Sequence, residues 1–154
     1  MNNLPSTVSR NFRAYRSLDL TPLSKLCKIA HVHGIAIDLW SFGEYLSACL
    51  WKSSTGWRIV LNVDESQARR TFSLAHELGH YFIHRHHGHV QFWCSGRVDW
   101  GIEREANIFA EHLLMPSRIM IPLARSGMDA AAIADKLELS EQAVRIRLDT
   151  IRVV

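Results

Sequence analysis

The alternation of apolar and polar positions places a short β region between runs of helical spacing. Thr21-Pro22 has the form of a helix start, with a hydroxyl cap and a proline in the first turn. Leu23, Leu26, Cys27 and Ala30 then recur at helical spacing, and Gly34 ends the run. Three short segments, residues 35–40, 46–52 and 57–62, read as strands, with a hairpin turn at 53–56 between the last two. Helical spacing returns over about residues 66–84 and again from about 102 until Pro116 stops it. A short helical stretch over 117–125 and two further helices complete the chain. Residues 1–20 are polar and basic without clear periodicity and read as an N-terminal arm. The expectation is an α+β fold, a small three-stranded antiparallel or mixed sheet packed on a helical core, with residues 21–154 as one domain.

Polar residues interrupt the most apolar helix. His76-Glu77-Leu78-Gly79-His80 lies between Phe72-Ser73-Leu74-Ala75 and Tyr81-Phe82-Ile83. Residues four apart on a helix sit about 40° apart on one face, so two imidazoles at that spacing can grip one metal ion. Glu77 can then reach a water bound to that metal, the HExxH arrangement of zinc-dependent hydrolases. Burying such groups without partners costs ~2–7 kcal/mol each on apolar transfer scales, and a metal with its water would satisfy all three.

A catalytic zinc has three protein ligands and one open position, so a third ligand is required. Glu103 opens the helix that Pro116 ends, and Glu103, Asn107, Ala110 and Leu114 share one face of it. Asn107, one turn beyond Glu103, is placed to orient a histidine ligand. Glu105 lies about 200° round from Glu103 and is expected to face solvent. Glu111, about 80° from Glu103, stays a candidate. His86 sits where the longer HExxHxxGxxH pattern has its third histidine, but that pattern needs glycine at position 83, which is Ile here. Glu103 is therefore preferred to His86.

The run Arg70 to His80, followed by Glu103-x-x-Ala106-Asn107-x-Phe109-Ala110-x-x-Leu113-Leu114-Met115-Pro116, closely resembles the ImmA/IrrE family of metallopeptidases. Ile59-Val60-Leu61-Asn62 resembles the strand that ends the family's small sheet, and the likeness covers roughly residues 20–150. The resemblance implies a zinc peptidase with His76, His80 and Glu103 on the metal and Glu77 as catalytic base. It also implies the substrate class: a helix-turn-helix transcriptional repressor cut at one site, which derepresses phage, mobile-element or stress-response genes.

The remaining features refine this reading. Apolar and charged contents of 47% and 21% are globular values, and no apolar run reaches the ~18 residues that span a bilayer. Cys27, Cys49 and Cys94 form no CxxC pair, and the polar start of the chain has no apolar signal core. Both features lead to the expectation of a cytoplasmic protein. The non-periodic stretch 85–101 holds His86, His87, His89, Trp93 and Trp100, candidates to line a substrate cleft. The oxyanion partner is open, with Tyr81, Arg70 and the loop histidines as candidates.

Residues 128–152 have helix-turn-helix spacing, with Arg145 and Arg147 as candidates to face phosphate. A competing reading is thus a DNA-binding regulator or a metal sensor without hydrolysis. A net charge of +3, offset on that helix by Glu141 and Asp149, argues against direct nucleic-acid binding.

Overall fold

The computed structural model describes residues 21–86 and 99–151. The expected N-terminal arm lies outside the described residues. Helix α1 (Pro22–Val32) leads into β1 (Ala36–Trp40), β2 (Ala48–Ser53) and β3 (Gly56–Asn62), and helix α2 (Gln67–Gly79) follows. The chain continues from α2 without a break into a π-helical turn, His80–His84. After the undescribed stretch come α3 (Trp100–Leu114), α4 (Ser117–Arg125), α5 (Ala130–Leu137) and α6 (Glu141–Thr150).

Local chemistry sets the helix starts. The side chains of Thr21, Ser66, Asp99, Asp129 and Ser140 each accept a backbone N–H in the first turn of the helix that follows. The expected segmentation holds to within two residues, except that the helix expected over 66–84 changes hydrogen-bonding pattern at His80.

The sheet is mixed, in the order β1-β3-β2. β3 pairs parallel with β1 and antiparallel with β2. Leu50, Ile59 and Leu61 face the helices and join Leu26, Ile29, Leu74, Leu78, Phe109 and Leu113 in one core. β2 is an edge strand. The Asn62 N–H bonds the Ser47 carbonyl. Antiparallel alternation from that pair turns the backbone groups of Cys49 and Trp51 toward β3, and those of Ala48 and Leu50 toward the free edge.

Helices α2 and α3 cross at very short range. A Cβ on Gly79 would stand 3.1 Å from both Cα and O of Ala106 and 3.2 Å from Cβ of Phe109. A glycine lets the backbones approach this closely without crowding, whereas a Cβ here would force α3 to give way by a few tenths of an ångström. This contact brings the N-terminal half of α3 over the second half of α2.

The C-terminal pair α5–α6 has helix-turn-helix form, but Arg147 does not face outward. It is 5% exposed. Its Nε donates to the Met115 carbonyl at 2.9 Å, its Nη2 reaches Ser117 Oγ at 3.4 Å, and its Nη1 lies 3.7 Å from Glu111. The guanidinium ties the end of α3 to α6 and is not available to phosphate. Arg145 is exposed and pairs with Glu141 on its own helix. No described helix is long and apolar enough to cross a membrane.

Candidate active site

The Gly79 crossing converts helical spacing into a three-residue cluster. His76 and His80 present their Nε2 atoms 2.9 Å apart from consecutive turns. Glu103 comes from the first turn of α3, its Oε2 3.1 Å from His76 Nε2 and its Oε1 3.3 Å from His80 Nε2. Among the described residues these three offer ligand atoms all within 4.8 Å of one another. Ligands at ~2.0–2.1 Å on a tetrahedral zinc stand roughly 3.3 Å apart, so these separations fit such an ion.

The other Glu103 alternatives lie elsewhere. Glu111 is drawn to Arg147, and His86 accepts from Arg85 Nε. Glu105 does not simply face solvent. Its side chain is about half exposed, but its Oε2 lies 3.0 Å from Nε2 of the buried His84.

Hydrogen bonds fix the rings. Asn107 Oδ1 lies 2.9 Å from His76 Nδ1. An amide oxygen can only accept, so Nδ1 carries a proton, and the neutral form of the ring then has its lone pair on Nε2, the atom turned to Glu103 and His80.

Glu77 lies behind the cluster, 6% exposed, with its carboxylate held by the backbone N–H of Leu50. Its Oε2 is buried with no partner among the described residues. Burial pushes this carboxyl up to about 7; the His76 charge and the Leu50 N–H oppose the shift, and the Glu103 charge adds to it. Burial also acts on Glu103, but the hydrogen bonds and charges of His76 and His80 more than offset it and hold the group at about 2. His80 is lowered by burial, whereas His76, although buried, is raised by Glu103, Glu77 and Asn107. The site thus pairs one carboxylate kept ionised with another balanced near neutrality.

A cleft of about 670 Å³ opens over these groups. The free edge of β2 (Ala48, Cys49) forms one wall, Glu103, Arg104 and Asn107 of α3 form the other, and Arg69 and Phe72 lie at one end. Tyr45 and Trp100 also line it, both strongly exposed. Of the loop residues expected here, Trp100 is in place, while His87, His89 and Trp93 lie outside the described residues. Tyr81 and Arg70 turn away from the cleft: the Tyr81 hydroxyl donates to the His33 carbonyl and Arg70 bonds the Val63 carbonyl. Sequence reasoning missed the Leu50 N–H, the close approach at Gly79, and the contacts of His84.

The model of the Peptidase_M78 family, described as the IrrE N-terminal-like domain, matches residues 30–149. The chain belongs to this family, the ImmA/IrrE metallopeptidases. It is also 29% identical over 62 residues to the Metallopeptidase ImmA of Bacillus subtilis (strain 168). That match spans 40% of this chain and 37% of the relative. The family match runs from the end of α1 to within one residue of the end of α6 and includes both walls of the cleft.

Proposed function

We propose that this member of the family is a zinc-dependent endopeptidase that cuts a helix-turn-helix transcriptional repressor at a single site. The observation that carries the proposal is the convergence of two histidine nitrogens and a carboxylate beside a buried, half-satisfied glutamate at the floor of an open cleft. His76, His80 and Glu103 are the ligands in this reading. The donor set suits zinc: two neutral imidazoles and one ionised carboxylate leave a tetrahedral position open. When bound, the ion would lower the pKa of its water toward ~7 and polarise the scissile carbonyl.

Glu77 is the general base. Its buried carboxylate stands beside the ligand cluster, where it can take a proton from the attacking water and return one to the leaving amine. Leu50 holds one end of that carboxylate and leaves the unpartnered oxygen to do the work. Asn107 keeps His76 in the tautomer that can bind metal. An extended substrate chain fits along the outward backbone groups of β2. The repressor as substrate class rests on the family resemblance.

Metal content of the purified chain, measured by mass spectrometry beside Glu103→Ala, tests the ligand set. One zinc per chain, lost in the variant, is expected. Glu77→Gln is expected to keep its zinc and to cut members of a panel of purified helix-turn-helix repressors about 10²–10⁴-fold more slowly. A Glu77→Gln enzyme with the wild-type rate overturns the mechanism.

A further inference from the structure

The HExxH spacing ends at His80, but the pattern of histidines in this chain does not. His76, His80 and His84 follow one another at four-residue steps, and the π turn begins at His80 and ends at His84. His84 is buried, its side chain 4% exposed. Its Nδ1 lies 3.1 Å from Nδ1 of His80, and its Nε2 lies 3.0 Å from Oε2 of Glu105. An unbroken chain of hydrogen bonds thus runs from His80, through a buried imidazole, to a carboxylate on the rim of α3.

The protons on this chain can be assigned from donor and acceptor chemistry. A nitrogen that binds a metal must present a lone pair, so a His80 ligating through Nε2 carries its proton on Nδ1. That proton is donated to His84 Nδ1, which must then be the acceptor. The remaining His84 proton is on Nε2 and is donated to the Glu105 carboxylate. With neutral rings and an ionised Glu105, this is the arrangement that satisfies both bonds while freeing His80 Nε2.

We infer that His84 and Glu105 are positioning residues that lock His80 in its metal-binding tautomer and orientation, as Asn107 does for His76. This inference rests on the metal-site reading above and adds two residues outside the ligand set and the general base. The π turn is part of the device. Its i→i+5 hydrogen bonds alter how far successive side chains rotate about the axis, and such turns recur at functional sites. Here the turn sets His84 against the rear of His80, facing Glu105 across the α2–α3 junction.

The test uses the full chain, with Zn²⁺ affinity measured by competition against a chromophoric chelator and the visible spectrum of Co²⁺ as a second readout. His84→Leu removes the acceptor behind His80 but fills the same apolar space. It is expected to weaken Zn²⁺ binding about 10–100-fold, in the range seen when such supporting partners of metal ligands are removed, and to alter the Co²⁺ bands. His84→Asn returns an oxygen acceptor near the position of Nδ1 and is expected to recover most of the affinity. Glu105→Ala, at a half-exposed position where folding is not at issue, removes the acceptor of the His84 proton and is expected to weaken binding by about tenfold.

Wild-type affinity and spectrum in both His84→Leu and Glu105→Ala would overturn the inference while leaving the metal site standing. Glu105→Ala decides alone if His84→Leu does not fold. A second equivalent of metal that disappears with His84→Leu would make His84 a ligand and overturn the inference as well. A wild-type chain that binds no metal would sink the metal-site reading itself, and this inference with it.

Discussion

At the residue scale, Gly79 makes the cluster possible. Its missing Cβ lets α3 lie against α2, and the atoms a side chain would strike at 3.1 Å are backbone atoms of Ala106 that cannot swing aside. Glu103 lies one turn before Ala106 on the same helix. Gly79→Ala should therefore push α3 outward and draw Glu103 from the histidines. The expected result is a loss of about 1–3 kcal/mol of stability, typical of overpacking, with a weaker metal affinity. Thermal melts and chelator competition on the same sample would check both.

Glu77 gives a prediction with a defined pH window in metal-free protein. Its folded carboxyl is raised from 4.5 to about 7, so the folded state favours the protonated form. Its contribution to stability is fully present below about pH 4.5 and is lost as pH rises through about 7. Glu103 shifts the other way, to about 2, so its contribution is already complete throughout that window. Chelated Glu77→Gln should match the chelated wild type near pH 4.5. At pH 8 it should be the more stable by on the order of 3 kcal/mol, read from urea unfolding at each pH. A difference that does not change with pH would contradict the burial of an ionised Glu77.

At the element scale, what the sequence reveals depends on the range of the interaction. Each helix start is written locally, in a Thr, Ser or Asp that caps its own first turn. His76, Glu77 and His80 are equally local, and apolar spacing puts Glu103 at the edge of the core-facing stripe of its helix while leaving Glu111 as an alternative. The π turn could not be read, because i→i+4 and i→i+5 bonding leave the same apolar pattern over so few residues. Without it, nothing in the sequence singles out His84, and helical spacing alone turns Glu105 toward solvent. The parallel pairing of β1 with β3 was also hidden, since strand patterns do not encode which edge a crossover reaches.

Arg147 illustrates the same limit. Its helix pattern allowed an outward, phosphate-facing reading, yet its partners Met115, Ser117 and Glu111 are at least 30 residues away in the chain. The buried guanidinium satisfies the carbonyl at the end of α3, so α6 braces the helix that carries Glu103. Arg147→Ala leaves Glu111 without its buried cation and should cost about 3–5 kcal/mol. Arg145→Ala removes only an exposed pair within one helix and should change stability by less than about 1 kcal/mol. Equal effects in parallel denaturant titrations would refute this division between the two arginines.

At the scale of the whole molecule, the sheet and the helical layer meet at the cleft, and each supplies half of the proposed peptidase site. The helices hold the ligand cluster and Glu77. The sheet presents the free edge of β2, whose outward N–H and C=O groups suit an extended chain better than any compact ligand. One of those groups, the Leu50 N–H, faces the carboxyl of Glu77 and lowers its pKa, so the edge strand and the proposed general base lie side by side.

The next outward residue along the strand is Ala48, which also lines the cleft. Proline there sits at the first position of β2, where it removes no hydrogen bond to β3, and takes away a donor on the substrate side. Ala48→Pro should keep the wild-type zinc content and raise KM for a repressor substrate about tenfold, with kcat changed far less. If KM stays at the wild-type value while the fold is intact, the substrate does not pair with β2 at this residue. Recognition would then lie with the opposite wall, on Arg104 and Trp100 of α3.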